Sequence, residues 1–157
     1  MSLILYGAIL SPYVRKIRIQ LAEQLIAHEL VMQAPFNQPD WFFEISPLGR
    51  IPAIKDGDLA LADSAVIAQY LQDTRGGAPL YGDTPEQAAR VRWLEKYADY
   101  ELGDLATRVV FVNRLLKPVS GGQCDDAAVQ QALDQLPTLF DYLEAQLGEQ
   151  QYFLGEQ

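Results

Sequence analysis

Residues 46–64 read SPLGRIPAIKDGDLALADS, and this stretch decides the fold. Two short apolar runs, residues 51–55 and 59–61, flank the turn-forming letters DGD. An Asp-Gly pair between two strand-like runs is a strong short-range signal of a β-hairpin, so we predict two antiparallel neighbouring strands. Asp63 follows directly and is predicted to cap the N-terminus of a helix.

The residues after the hairpin predict that helix. Apolar side chains recur there at helical spacing, and the pattern ends before Gly76. The predicted apolar stripe consists of Val66, Ile67, Tyr70 and Leu71.

The residues before the hairpin predict a β-α-β unit. Residues 3–6 are an apolar run typical of a buried parallel strand, and Ser11 then stands at a helix N-cap with proline at the first helical position. Residues 29–32 predict a second strand, and residues 41–44 one helical turn. The core face of the first helix is predicted to comprise Val14, Ile17, Leu21 and Leu25. The complete order, β-α-β-α-β-β-α, is that of a thioredoxin-like α/β fold.

The second half of the chain is predicted to be all helical. A capping box at Thr84 opens a long helix that runs toward Leu116, and a second helix starts at Asp125 or Asp126 with Pro137 inside it. The predicted core residues are Val91, Leu94, Ala98, Leu102 and Leu105 on the first of these helices, and Val129, Leu133, Leu136, Phe140, Leu143 and Leu147 on the second. Two such helices leave much of their apolar surface uncovered.

A Gly/Pro-rich stretch separates the two halves. Residues 75–82 read RGGAPLYG, which breaks any helix that enters it. We therefore predict a thioredoxin-like domain at residues 1–77, a linker at 78–84, and a partial helical domain at 85–157.

The composition excludes several functional classes. The net charge of −9 over 157 residues opposes binding to nucleic acid at long range. A single cysteine, Cys124, excludes an internal disulfide and a CxxC pair, and a single histidine excludes a His-rich metal site. This cysteine usage favours the cytosol. No apolar run approaches the roughly 20 residues that a membrane span needs, and the N-terminus lacks a signal-type segment, so we expect neither membrane insertion nor secretion.

Three ordered motifs together resemble one family. They are SPYVRK at residues 11–16, SPLGRIPAI at 46–54 and LADSAVI at 61–67. Their order and spacing are similar to those of the soluble, cytosolic-type glutathione S-transferases, of the serine type and bacterial-like. The resemblance implies a thioredoxin-like glutathione-binding domain followed by an all-α domain, and a reaction in which glutathione, as co-substrate, is conjugated through its thiolate to an electrophile. It also implies a homodimer, a cytoplasmic location and a role in detoxification, with no metal and no permanently bound cofactor.

The resemblance implies that Ser11 is the catalytic residue. Its hydroxyl and the start of its helix would stabilise a thiolate, although a free thiol titrates at about 8.5. The alternative is that Ser11 only caps its helix. Tyr6 is a rival thiol donor in some classes of the family, and we favour a packing role for it.

The resemblance also implies the residues that bind glutathione. Ile51, before a cis proline at Pro52, would pair with the cysteinyl part through its backbone, while Asp63 and Ser64 would bind the γ-glutamyl zwitterion. The polar contacts to the glycyl end would come from Arg50 and Gln38. The alternatives are an ordinary trans proline, a simple Asp-Ser helix start, an exposed arginine and a plain loop glutamine.

The electrophile is expected to contact aromatic and acidic residues. The resemblance implies a pocket lined by Tyr13, Tyr97, Tyr100 and Asp104, although a tyrosine stripe at helical spacing is more often core packing. A glutaredoxin would have Cys-Pro-Tyr-Cys where this chain has Ser-Pro-Tyr-Val, so dithiol exchange by its own cysteines is excluded.

Two other functions stay open within the resemblance. One is a non-catalytic interaction protein of the stringent-starvation type, which binds RNA polymerase. The other is a disulfide reductase that takes both thiols from glutathione. The chain also stops before the capped Ser/Thr-x-x-Asp helix start that family members usually carry, which predicts an incomplete helical domain.

Overall fold

Four strands and three helices make up the chain before Leu80 in the computed structural model, which describes residues 3–154. The elements are β1 (Leu3–Tyr6), α1 (Pro12–Glu23), β2 (His28–Val31), α2 (Phe42–Ile45), β3 (Ala53–Asp56), β4 (Leu59–Ala62) and α3 (Ser64–Arg75). This order confirms the predicted thioredoxin-like β-α-β-α-β-β-α arrangement. A second compact unit begins at Tyr81.

The four strands form one mixed sheet in the order β2-β1-β3-β4. β1 pairs in parallel with β2, whereas β3 pairs antiparallel with both β1 and β4, as the hairpin predicts. Leu5 and Ile54 face each other across this register and are fully buried. The core of the unit is completed by Val14, Ile17, Leu21, Phe42, Ile67 and Leu71.

Most element bounds agree with prediction to within two residues. β2 begins and ends one residue earlier than predicted, and β3 begins at Ala53 rather than at Ile51. Val66 was predicted to face the core with Ile67 and Leu71, and this is wrong because Val66 is half exposed. Val66 therefore does not belong to the buried face of α3.

The end of α1 differs from prediction at Leu25. The Leu25 N–H donates to Ala22 O and the Ile26 N–H donates to Leu21 O, which is the hydrogen-bond pattern of a Schellman motif. Leu25 occupies the left-handed position of this motif with φ 54° and is 91% exposed. Its prediction as a core residue is wrong because α1 ends at Glu23, and the left-handed turn directs the Leu25 side chain into solvent.

Hydrogen bonds from glutamine side chains connect residues 78–80, at the end of this unit, to its helices. The side chains of Gln20 and Gln24 are buried, and Gln20 Nε2 donates to Gln24 Oε1 at 3.1 Å. Gln24 Nε2 in turn donates to Ala78 O and to Gln72 Oε1, both at 3.1 Å. The Leu80 N–H also donates to Gln72 Oε1 at 3.0 Å. The amide network therefore holds residues 78–80 onto α1 and α3, a feature that the sequence pattern did not predict.

A charged network joins β3 to α3. The hydroxyl of Tyr70 donates to Asp56 Oδ2 at 2.7 Å, and the Arg75 guanidinium donates to the same oxygen. The Tyr70 hydrogen bond, followed by that of Arg75, holds the pKa of Asp56 below its ordinary value. Tyr70, predicted as part of an apolar stripe, thus also serves as a hydrogen-bond donor.

The second unit is helical, as predicted. It comprises α4 (Pro85–Lys96), a wide-turn π segment (Tyr97–Leu116), α5 (Lys117–Val119) and α6 (Asp126–Leu147). The predicted capping box at Thr84 is present, since its hydroxyl accepts from the Gln87 N–H at 3.2 Å and Gln87 Oε1 accepts from the Thr84 N–H at 3.2 Å. α6 runs through Pro137 with Asp125 as its N-cap.

The predicted core stripes of the second unit are only partly correct. Ala98 is exposed, and Leu133 and Phe140 are 36% and 49% exposed, whereas Val129 is fully buried. The π segment winds with i→i+5 hydrogen bonds, as in the bond from the Lys117 N–H to Val112 O. A stripe counted at 3.6 residues per turn therefore does not stay on one face of this segment, which contains Ala98. Leu133 and Phe140 lie on α6, to which this reason does not apply.

Asn113 is a buried polar residue that joins the two long helices. Its Nδ2 donates to Val109 O at 2.8 Å, and its Oδ1 accepts from Lys117 Nζ at 2.7 Å and from the Asp125 N–H at 3.2 Å. The side chain therefore connects the π segment to the N-cap of α6.

Replacing Leu25 by glycine is expected to stabilise the protein. A left-handed backbone costs a non-glycine residue roughly 1–2 kcal/mol, and glycine loses part of that gain through its greater unfolded-state entropy. We predict that Leu25→Gly raises the free energy of unfolding by about 0.5–1 kcal/mol in urea titrations. Leu25→Ala is the control, because it removes the same exposed side chain but keeps Cβ; equal stability of the two variants would contradict the assignment.

The Asp56 network is expected to make stability depend on acid pH. Because the folded-state pKa of Asp56 lies below its ordinary value of 3.8, its stabilisation is complete above that pH and is lost as pH falls through the lowered pKa. We predict that Asp56→Asn lowers the free energy of unfolding by about 1–2 kcal/mol at pH 7 and that its difference from the wild type shrinks below about pH 4. Urea titrations at a series of pH values measure this difference, and a constant difference down to pH 2 would refute it.

Candidate functional site

The chain segments that carry the three sequence motifs adjoin the sheet at one row of paired residues. Tyr6 at the end of β1 pairs with Ala53 at the start of β3, and Ala53 pairs with Ala62 at the end of β4. Adjacent paired strands lie about 4.8 Å apart, so the three chain segments that continue from this row emerge side by side. These segments carry Ser11, Ile51 and Asp63.

Ser11 stands at the N-terminus of α1. Its Oγ accepts a hydrogen bond from the Val14 N–H at 3.4 Å, and its side chain is half-buried. Gly7, directly after β1, allows the first turn of α1 to pack close to the end of the strand, since a Cβ at Gly7 would overlap a methyl group of Val14. The 3.4 Å cap is long for a hydrogen bond. The hydroxyl therefore sits at the positive end of a helix and is only weakly engaged as an acceptor.

The loop before β3 contains a cis peptide bond between Ile51 and Pro52. Both residues are buried, and Ile51 lies two residues before the strand, outside the paired ladder. The predicted cis proline is therefore present, and Ile51 lies just before the N-terminal end of β3, an internal strand of the sheet.

The side chain of Ser46 bonds to the backbone of Arg50. Oγ of Ser46 donates to Arg50 O at 2.8 Å and accepts from the Arg50 N–H at 2.9 Å. Ser46 is fully buried, whereas the Arg50 side chain is exposed. Nothing in the sequence distinguishes Ser46 as a site residue, because a serine in a loop carries no signal of its own.

Gln38 is part of the internal structure of the same loop. Its Nε2 donates to Ala34 O at 3.1 Å and to Gly49 O at 2.7 Å, which uses both amide hydrogens. A Cβ at Gly49, where φ is +61°, would overlap Gln38 Oε1. Gln38 therefore holds the loop, and its amide hydrogens are not available to a ligand.

Asp63 caps α3 from an unusual backbone conformation. Its φ is 79°, and its Oδ1 accepts from the N–H groups of Ala65 at 3.0 Å and Val66 at 3.3 Å. A left-handed non-glycine residue is uncommon and is concentrated at functional sites. Ser64 is the first residue of the helix and is buried, while Asp63 is exposed. The Asp63 carboxylate already accepts from the N–H groups of Ala65 and Val66. Ser64 is therefore the remaining candidate at this helix end for contact with an anion.

Tyr6 packs in an aromatic cluster. Its ring lies 5.9 Å from Trp41 and 6.1 Å from Phe42, and only 8% of the residue is exposed. These contacts agree with the packing role that the sequence favoured for Tyr6.

The residues predicted to meet the electrophile fall into different environments. Tyr13 is half-buried in the first turn of α1. Tyr97 packs inside the second unit, since its hydroxyl donates to Leu139 O at 3.1 Å and its ring lies 4.6 Å from that of Tyr142. Tyr100 and Asp104 line a polar groove of about 400 Å³ that is formed by the second unit alone.

Cys124 lies in the second unit, two residues before α6. Burial and a contact with Asp126 at 3.3 Å raise the pKa of the Cys124 thiol, which disfavours the reactive thiolate. Across residues 3–154, no three His, Cys, Asp or Glu side chains are arranged to hold a metal ion. In the same range, every helix is too short or too polar to cross a bilayer.

Comparisons with known proteins point to one family. The family described as "Glutathione S-transferase, N-terminal domain" matches residues 5–79. A glutathione S-transferase of Hyoscyamus muticus is 32% identical over 99% of this chain and 76% of its own length. Glutathione S-transferase 3 of Zea mays is 33% identical over 98% of this chain and 70% of its own length. The structure of a glutathione S-transferase from Rhodospirillum rubrum F11 superposes with a TM-score of 0.90 at 27% identity, covering 99% of this chain and 71% of that one.

The conformation of Asp63 predicts a sharp difference between two substitutions. Asp63→Ala removes the N-cap and places a non-capping residue in the left-handed region, so we expect it to lower the free energy of unfolding by about 2 kcal/mol. Asp63→Asn keeps the cap oxygen and tolerates positive φ, so its effect should stay within about 0.5 kcal/mol. Urea titration measures both, and an alanine variant as stable as the asparagine variant would contradict the described conformation.

Proposed function

Since this chain belongs to the glutathione S-transferase family, we propose that it binds glutathione in its first unit and conjugates the thiolate to an electrophilic substrate. The observation that carries this proposal is the paired row Tyr6, Ala53 and Ala62. It supports a single binding site for one extended tripeptide, because three chemically distinct contact segments leave the sheet side by side. The wider assignment as a transferase agrees with relatives that align over nearly the whole chain.

We assign each part of glutathione to one segment. The cysteinyl backbone would pair with the backbone of Ile51 in the manner of an added strand, with Pro52 holding the turn. The γ-glutamyl carboxylate would bind Ser64 at the N-terminus of α3, and Asp63 Oδ2 would accept from the ammonium group. The glycyl carboxylate would bind the exposed Arg50 guanidinium. Gln38 contributes indirectly, by holding the loop that carries Arg50.

Ser11 would make the thiol reactive. A free thiol titrates at about 8.5, so little thiolate exists at neutral pH unless the site stabilises it. Ser11 Oγ accepts a long bond from Val14, which leaves its O–H to donate to the sulfur, while the N-terminus of α1 adds positive potential. The thiol proton passes to solvent, and the thiolate then attacks the electrophilic carbon to form a carbon–sulfur bond. In a substitution, the leaving group departs with its electron pair. In an addition, the electron pair of an activated double bond moves to the far atom, which takes up a proton from solvent. This assignment makes the chain a serine-type transferase.

The second substrate and the assembly are proposed more coarsely. Tyr13, in the same first turn as Ser11, is the residue that we assign to the electrophile side. Tyr97 is committed to packing, and Tyr100 and Asp104 belong to the groove of the second unit. We further propose a cytoplasmic homodimer that acts in detoxification, with support from family membership.

A serine substitution tests the catalytic assignment. We predict that Ser11→Ala lowers kcat with glutathione and a generic aryl halide about 10- to 100-fold, because it removes the donor that stabilises the thiolate. The dissociation constant for glutathione, measured by calorimetry, should change less than about threefold, since the other contacts remain.

The matched control is Ser120→Ala, which removes an exposed serine after α5 and should leave kcat unchanged. Unaltered turnover in Ser11→Ala would refute the catalytic role of Ser11. Absence of glutathione binding by the wild type would favour the non-catalytic interaction protein, and turnover of a mixed disulfide without aryl halide activity would favour the disulfide reductase.

A further inference from the structure

Ser46 takes no part in the proposed chemistry, yet it is the most heavily bonded residue of the loop. Its N–H donates to Phe42 O at 2.8 Å, and its C=O accepts from the Gly49 N–H at 2.8 Å. Its hydroxyl makes both bonds to the Arg50 backbone described above. With 0% of the residue exposed, Ser46 cannot contact glutathione itself.

The bond to Arg50 O acts on the neighbouring residue through the peptide plane. The C=O of Arg50 and the N–H of Ile51 belong to the same planar peptide group, so fixing the direction of one fixes that of the other. The hydroxyl of Ser46 therefore determines where the Ile51 N–H points. The Arg50 N–H bond fixes the preceding peptide group in the same way, and Gln38 holds its other end through Gly49 O at 2.7 Å.

We infer that Ser46 is a positioning residue for glutathione, an inference that rests on the proposed function. It orients two successive peptide groups, and so presents the backbone of Ile51 to the cysteinyl part of the tripeptide before the ligand arrives. A pre-oriented backbone group does not lose conformational freedom when it binds, which raises affinity without any direct contact. Ser46 therefore acts on the binding of glutathione and not on the acidity of its thiol, which depends on Ser11.

The test is the split between KM and kcat in Ser46→Ala. Removing the hydroxyl leaves two backbone groups of Arg50 without their partner, and the peptide before Ile51 becomes free to rotate. We expect the KM for glutathione to rise about tenfold, while kcat at saturating glutathione and the pH dependence of kcat stay within about twofold of the wild type. Hydrogen exchange of the Arg50 amide should accelerate in the same variant.

Tyr70→Phe is the matched control for a merely structural effect. It removes a different hydroxyl of the same unit, whose bond to Asp56 lies at the far end of β3 from the loop. It is expected to lower stability but to leave the KM for glutathione unchanged.

Ser46→Cys provides a second variant if the alanine protein does not fold. The thiol keeps the shape of the side chain, although it is somewhat larger, and it weakens both hydrogen bonds, so the KM for glutathione should again rise with kcat preserved. A KM within twofold of the wild type in the folded variants, or a loss confined to kcat, would overturn the inference about Ser46 alone. A wild type that does not bind glutathione would overturn this inference and the proposed function together.

Discussion

The pairing of β3 with both β1 and β4 is the constraint on which the rest of the site depends. Because β3 runs antiparallel to both neighbours, its first residue lies beside the last residues of β1 and β4. The chain leaves β1 toward α1, enters β3 from the cis-proline loop, and leaves β4 toward α3. A shift of β3 by one residue would turn Ile54, which is buried opposite Leu5, to the other face of the sheet. The hydrophobic core of the first unit therefore also holds the candidate site together.

Polar side chains satisfy and orient the backbone groups around the candidate site that the sheet and helices leave without partners. Helix N-termini leave N–H groups without internal partners, and Ser11 and Asp63 each satisfy part of that need at the site. The segment between β2 and β3 belongs to no strand, so its backbone lacks the regular hydrogen bonds of a sheet. Side chains such as Gln38 and Ser46 bond to that backbone instead. The same hydrogen bonds that satisfy the loop also orient it, which is why its structure and its proposed binding role cannot be separated.

Much of the first unit could be predicted from sequence, and the reasons are local. The Asp-Gly hairpin, the Ser-Pro helix start and the helical stripe of α3 each follow from propensity and periodicity within a few residues. Leu25, Ser46 and Gln24 could not be predicted, since their roles depend on turns and on partners that lie elsewhere in space. In the second unit, the widened turns of Tyr97–Leu116 move residues off the helix face that a period of 3.6 residues predicts. Nothing in the sequence pattern indicates that these turns are widened.

The central claim is that the N-terminus of α1, with Ser11, stabilises the thiolate of bound glutathione. The most direct measurement is an ultraviolet difference titration of the thiolate absorbance of glutathione bound to the wild-type protein. We predict that the pKa of the bound thiol lies at least about one unit below the value of roughly 8.5 for a free thiol. A bound thiol that titrates at the free value would contradict it.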